Sequence, residues 1–297
     1  KNFQRNKLLQ GRRVSSKIFT KKSFVMSLVS TEWLNKNHSK VKIIDATWHM
    51  PNTNRNAYEE YKKQHISNAI FFDIDKFSNQ KTDLPHMLPG EKEWEKIISN
   101  LGISNEDKII IYDNSDVVSS CRCWYSFIFF GHKPSLIYVL NGGLSKWKKE
   151  NRKITNKIPN HEKTNYKAKK ISELVKTKEE IDKNILKRKF QVVDARSKNR
   201  FLGLEKEPRP NVRSGSIKNS SCLPFGEVIN PEDKTFIEKN LIKEKFKNIG
   251  INNENNVVFS CGSGITAAVL ALAYYIINDK YLPAIYDGSW AEYGKLK

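Results

Sequence analysis

Short runs of apolar, often β-branched residues recur along the chain. Between them lie polar stretches and segments whose apolar residues fall at helical spacing. Residues 41–45, 108–112, 190–194 and 257–260 read as buried strands. Residues 266–278 are apolar almost all round, which predicts a buried helix. Apolar residues at Ile171, Leu174, Val175, Ile181 and Ile185 predict an amphipathic helix along that stretch. Strands alternating with helical segments argue for an α/β fold of mainly parallel sheets flanked by helices. The longest uninterrupted apolar run, 267–277, falls short of the ~18 residues that a membrane-spanning helix needs.

The pattern also repeats. Val41-Lys42-Ile43-Ile44-Asp45 is matched by Phe190-Gln191-Val192-Val193-Asp194, and Gln64-His65-Ile66-Ser67-Asn68-Ala69 by Ser214-Gly215-Ser216-Ile217-Lys218-Asn219. The strand ending in Ile111-Tyr112-Asp113 is matched by Val258-Phe259-Ser260-Cys261. Asn141-Gly142-Gly143, with Trp147 following, is matched by Asp287-Gly288-Ser289-Trp290. Four landmarks in one order, all offset by about 150 residues, indicate two copies of one domain. The expected layout is a basic leader over 1–25, a first domain over 26–150, a linker over 151–170 rich in Lys and Asn with Pro159, and a second domain over 171–297. A length of 297 residues agrees with two domains.

Composition narrows the function classes. The formal net charge of +20 suggests an anionic partner. However, the lysines are scattered among glutamates, and no nucleic-acid-binding motif accompanies them, so no nucleic-acid partner and no membrane partner is expected. Small anions are the better fit. Residues 1–25 carry eight Lys and Arg and no acidic residue, as an organelle-targeting segment does; a disordered tail before Met26 reads the same way and is favoured. The expected compartment is therefore cytoplasmic, or mitochondrial if the leader is a targeting segment. The four cysteines, Cys121, Cys123, Cys222 and Cys261, are too few for a disulfide scaffold of this size. Cys121 and Cys123 form only a C-x-C, without a second pair at metal-ligand spacing, so no metal is expected.

Chemistry concentrates in Ser260-Cys261-Gly262-Ser263-Gly264-Ile265-Thr266. A buried strand ends at a cysteine, a small loop follows, and a helix starts at once. In an open parallel sheet, ligands bind beyond the carboxyl ends of the strands. The glycines let the backbone wrap tightly enough for N–H groups to converge on the sulfur. The helix N-terminus adds a positive dipole end, and both effects favour a thiolate nucleophile. The first copy has Asp113 at this position, followed by Asn114-Ser115-Asp116, so one active and one inactive copy are expected. A cysteine-dependent phosphatase would need an arginine six residues after the cysteine, where Ala267 stands.

The two-copy layout and the Cys261–Thr266 loop resemble the tandem rhodanese-fold sulfurtransferases, and within them the branch that uses 3-mercaptopyruvate. The resemblance covers roughly residues 28–294. It is supported by Phe71-Phe72-Asp73-Ile74-Asp75, His86-Met87-Leu88-Pro89-Gly90, Asn141-Gly142-Gly143 and Tyr286-Asp287-Gly288-Ser289-Trp290. It implies two rhodanese-like domains, sulfur transfer through a Cys261 persulfide with release of pyruvate, and no cofactor. Arg200 and Arg209 would bind the donor's carboxylate and carbonyl, since a guanidinium fork matches a carboxylate. Asp75, His86 and Ser263 would form a hydrogen-bonded catalytic set, and Gly262, Gly264, Ile265 and Thr266 would complete the substrate loop. Read without the resemblance, Asp75 is equally a helix cap and His86 a packed histidine.

The implied acceptor is a thiol such as thioredoxin or a small thiol, or cyanide in an assay. A monomer is expected, because a site between two domains needs no partner subunit. Thiosulfate-using relatives carry cations within the loop, whereas the loop here is uncharged. The rival readings are thiosulfate:cyanide sulfurtransferase on the same fold, and a non-enzymatic persulfide carrier or binding module. The chain departs from the family at Gly215-Ser216-Ile217-Lys218-Asn219, where Gly-His-Ile-Pro-Gly is usual, and in a shortened segment over 115–124.

Overall fold

A computed structural model describes residues 27–252, 256–278 and 282–296. The leader over 1–25 lies outside the described residues. Two five-stranded, all-parallel sheets carry the fold. The first runs, in spatial order, Leu28–Val29, Ile137–Leu140, Ile109–Tyr112, Lys42–Asp45 and Ala69–Phe71. The second runs Val175–Lys176, Ala284–Tyr286, Val257–Ser260, Gln191–Asp194 and Ser221–Cys222. The two orders are the same, strand for repeated strand. Registers correspond as well: Asp45 pairs with Tyr112 as Asp194 pairs with Ser260. The central strand of each sheet therefore delivers the equivalent positions Asp113 and Cys261 to the same edge of its domain.

The helices that follow these two positions, Ser120–Phe129 and Ile265–Ile277, pack against each other, with Trp124 and Tyr275 in ring contact at 5.9 Å. Each covers its own sheet on one side and the partner helix on the other, which is why both are apolar nearly all round. One contiguous apolar cluster runs through both domains. The buried helix expected over 266–278 is thus the Ile265–Ile277 helix.

The amphipathic helix expected from Ile171 onward is shorter than the spacing suggested. Ser172–Leu174 is a 3₁₀ turn, Val175–Lys176 is an edge strand, and the α-helix begins only at Lys178. A capping box explains the start: Thr177 Oγ1 accepts the Glu180 N–H and the Glu180 carboxylate accepts the Thr177 N–H. Apolar residues of a strand and of the following helix had merged into one helical spacing.

The stretch between the sheets is strapped to the first domain. Ile154–Thr155 pairs antiparallel with His65–Ile66, the Thr164 N–H reaches the Ser99 carbonyl, and Tyr166 is buried against His132. The Gly215–Asn219 segment turns at Asn219 with φ 64°. Asn is among the few non-glycine residues that adopt this left-handed conformation readily.

Candidate active site

Cys261 stands at the end of the central strand of the second sheet, 2% exposed. Its Sγ accepts the Gly264 N–H at 3.1 Å, and its own N–H is held by Ser289 Oγ at 3.1 Å. The Trp290 and Ala291 N–H groups bond the carbonyls of Cys261 and Gly262, fixing the loop against the Ser289–Tyr293 helix. The two loop glycines have separate reasons. Gly264 adopts φ 82°, and a Cβ there would lie 3.0 Å from Arg122 Nη1. At Gly262 a Cβ would lie 3.3 Å from Arg209 Nη1 and 3.4 Å from Arg200 Nη2. Absence of a side chain there lets two guanidinium groups lie over the loop beside the sulfur.

A cavity of about 220 Å³ opens above the loop, with both domains in its wall. Cys261, Gly262, Ser263, Ile265, Thr266, Arg200 and Arg209 line it from the second domain, and Trp48, Met50 and Val117 are among its lining from the first. Of the loop residues expected from sequence, Gly264 is the one outside this lining; it acts from below, through the sulfur and the helix start.

The expected Asp75, His86 and Ser263 set is assembled across the domain boundary. His86 Nδ1 lies 2.9 Å from Ser263 Oγ, and its Nε2 lies 3.0 Å from Asp75 Oδ1. Trp48 Nε1 donates to both Asp75 oxygens and its ring meets His86 edge-on at 4.8 Å. Burial pushes the Asp75 carboxyl up, but the His86 and Trp48 contacts outweigh it and hold the group below its ordinary range. The helix-cap alternative falls to a neighbour: Asp73 caps the Ile74–Phe77 helix through the Lys76 N–H.

Three charged residues that sequence reading did not single out organise this site. Arg122, buried in the Ser120–Phe129 helix, donates to the His86 carbonyl at 2.5 Å and to Asp287 Oδ1 at 2.7 Å, while Asp287 Oδ2 accepts the Leu88 N–H. The ion pair thus clamps the His86 loop of one domain to the cysteine loop of the other. The third is Glu207. Its Oε2 accepts Arg200 Nη2 at 2.5 Å, and its Oε1 accepts Arg200 Nε and Arg196 Nη1. Arg196 is in turn bonded to Asp194 and to the Gly215 carbonyl, and it lies over the Trp290 ring. The signal for Arg122 was available: it is the one cation in an otherwise apolar and small-residue run, 117–131.

In the first domain the equivalent loop is turned on itself. Asp113, with burial raising its carboxyl above the ordinary range, accepts the Ser115 and Ser120 N–H groups, both at 2.9 Å. Its loop donors serve its own side chain instead of an incoming group. All four cysteines are free thiols. Among the described residues no helix is long and apolar enough to cross a membrane.

A sequence model of rhodanese-like domains matches residues 30–150 and again 177–296. The chain is 35% identical over 290 residues to an Arabidopsis thaliana protein named thiosulfate/3-mercaptopyruvate sulfurtransferase 1, mitochondrial, covering 90% of this chain and 75% of that one. It is 34% identical to a mouse 3-mercaptopyruvate sulfurtransferase, with 90% and 91% covered. Among solved structures, SseA from Escherichia coli, described as a 3-mercaptopyruvate sulfotransferase of the rhodanese fold, superposes with a TM-score of 0.80 at 28% identity, covering 89% of this chain and 99% of that one. Two matches to one domain model, two sheets of one strand order and relatives aligned along nearly the whole chain lead to one conclusion: this chain belongs to the rhodanese-like domain family and carries the domain twice.

Proposed function

We propose that the protein is a sulfurtransferase that takes sulfur from 3-mercaptopyruvate, carries it as a persulfide on Cys261 and passes it to a thiol. The observation that carries this reading is the placement of a cysteine sulfur, with a backbone N–H on it, beneath two guanidinium groups in a small cavity. The Cys261 thiolate attacks the donor's sulfur, forming an S–S bond as the C–S bond breaks. The electron pair passes to the carbon side as the enolate of pyruvate. The donor's thiol proton completes pyruvate, leaving Cys261–S–S⁻. An acceptor thiol then takes the outer sulfur and restores the thiolate.

Arg200 and Arg209 fit the donor's carboxylate and carbonyl, and the uncharged loop suits a carboxylate anchored outside it rather than a dianion held within it. Asp75, His86 and Ser263 supply the path for the proton. The Arabidopsis relative's name also includes thiosulfate, which keeps that donor as the second reading. That name includes mitochondrial as well and, with the basic residues 1–25, supports the mitochondrial alternative for the compartment.

The test is pyruvate release from 3-mercaptopyruvate with a reducing thiol, run beside thiosulfate plus cyanide. The expected result is a kcat/KM favouring 3-mercaptopyruvate, with both activities abolished in Cys261→Ser. A preference for thiosulfate would transfer the donor assignment. A Cys261→Ser variant with full pyruvate release would end the cysteine mechanism.

A further inference from the structure

The cavity over Cys261 has a counterpart in the first domain, and the two are built from matching bonds. Arg55 donates from Nε and Nη2 to the two oxygens of Glu60, both at 2.7 Å, as Arg200 does to Glu207. The Phe236 N–H donates to Asn141 Oδ1 at 2.8 Å, as the Leu88 N–H does to Asp287 Oδ2. Asn141 and Asp287 are themselves equivalent in the repeat. Two residues before these N–H groups stand Lys234 and His86, both at φ 61°. Each crosses to the loop of the other domain, His86 to Ser263 Oγ and Lys234 to Asp116 Oδ1 at 3.9 Å. A left-handed backbone is as uncommon for lysine as for histidine, and glycine or asparagine would make the turn alone more easily.

Between these residues lies a cavity of about 100 Å³ with both domains in its wall, several times what a single water needs. Asp113 stands where the second domain has Cys261, and it keeps both oxygens on N–H groups of its own loop. The cations around it are retained. Arg55 Nη1, outside the fork to Glu60, lies 3.7 Å from Asp116 Oδ2, and Lys234 Nζ approaches the other oxygen of the same carboxylate. One carboxylate, on a side chain 68% exposed, thus sits between a cation of each domain. These are loose ion pairs, too long for hydrogen bonds. Asn141, its oxygen taken by Phe236, keeps its NH₂ group as a donor at the cavity wall.

We propose that this cavity is a second, non-catalytic binding site for a small carboxylate anion, held by Arg55 and Lys234 where the Asp116 carboxylate now stands. The entering group replaces one of the same charge and shape, and the exposed Asp116 side chain turns out to solvent. The anion gains short charge-assisted hydrogen bonds where Asp116 has only distant ones. Once bound it bridges the domains, since Arg55 belongs to the first and Lys234 to the second. A carboxylate cannot do a thiolate's work on sulfur, so Asp113 leaves the anion bound and unchanged. The inference goes beyond the sulfurtransfer reading and does not rest on the chemistry of Cys261.

The probe is pyruvate, titrated into the full chain and followed through backbone amide resonances, with sodium chloride titrated in parallel. Amides of residues 114–116 and 142–143 are expected to shift saturably with pyruvate, at a midpoint separate from that of residues 262–265. Lys234→Gln removes the charge without changing the turn, and should weaken binding at 114–116 by about 10-fold or more, the worth of a hydrogen bond to a charged group. Asp116→Asn should instead tighten it, because the internal competitor is gone. That exposed substitution also keeps the test open if Lys234→Gln fails to fold. No saturable shift at 114–116, equal shifts from chloride alone, or a midpoint that ignores both substitutions would overturn the assignment. None of these outcomes touches the sulfurtransfer reading, which falls only if 3-mercaptopyruvate yields no pyruvate.

Discussion

At the scale of single residues, the repeat provides its own comparison. Asp45 and Asp194 end equivalent strands, but two residues later the first copy has Thr47 and the second Arg196. Asp194 is bonded by that guanidinium, whereas Asp45 has only the Thr47 hydroxyl and N–H and the Tyr112 hydroxyl. Burial therefore pushes the Asp45 carboxyl up to about 6, against those hydrogen bonds. The folded state holds this proton where the unfolded chain releases it, so the contribution to stability is complete below about pH 4 and is lost as pH rises through 6. Asp45→Asn keeps an acceptor for Thr47 and removes the titration. Relative to wild type it should gain up to about 3 kcal/mol between pH 4 and pH 7.5, as read by denaturant unfolding at the two pH values. A pH-independent difference between the two proteins would refute the assignment.

At the scale of elements, the site depends on how a helix of one domain meets a loop of the other. The Arg122–Asp287 pair joins the Ser120–Phe129 helix to the turn after Ala284–Tyr286, and it holds the His86 backbone at φ 61°, a conformation that few residues adopt unaided. Arg122→Met should cost about 3–5 kcal/mol, because it leaves Asp287 charged and unpaired in the interior. Adding Asp287→Asn removes that charge and keeps an acceptor for the Leu88 N–H, so most of the stability should return. Activity should not return with it, since nothing then holds the His86 carbonyl. Recovery of both in the double variant would show that the pair is structural and does not position His86.

Much of this was legible in the sequence for a physical reason. Cys261 and its glycines are legible because a nucleophile's backbone must make an unusual turn, which restricts residue choice over consecutive positions. The strands were legible through β-branched runs. The Arg122 contacts were not, because its partners His86 and Asp287 lie 36 and 165 residues away. Glu207 stands near its partners Arg200 and Arg196 in the chain, but in a run of charges a single carboxylate does not announce which cation it holds. The false helix start at Ile171 has a similar cause: burial on a sheet edge and burial on a helix leave the same apolar residues.

At the scale of the whole molecule, two copies of one domain have become unequal halves of one site. The second supplies the sulfur, the loop and the arginines; the first supplies His86, Asp75 and the Trp48 wall, while its own loop is closed on Asp113. Their apolar helices share one core, so the domains are held in the relation that the His86–Ser263 bond needs. Eight of the positive charges lie in residues 1–25; the rest of the chain still carries a net positive charge, which suits anionic substrates, and the two arginines make it local.

The most direct test of this account is mass spectrometry of the full chain after exposure to 3-mercaptopyruvate with no acceptor present. The expected result is one added sulfur per chain, located by peptide mapping on Cys261, removed by a reducing thiol and absent in Cys261→Ser. Sulfur on Cys121, Cys123 or Cys222 with Cys261 unmodified, or no added sulfur while pyruvate is still released, would contradict it.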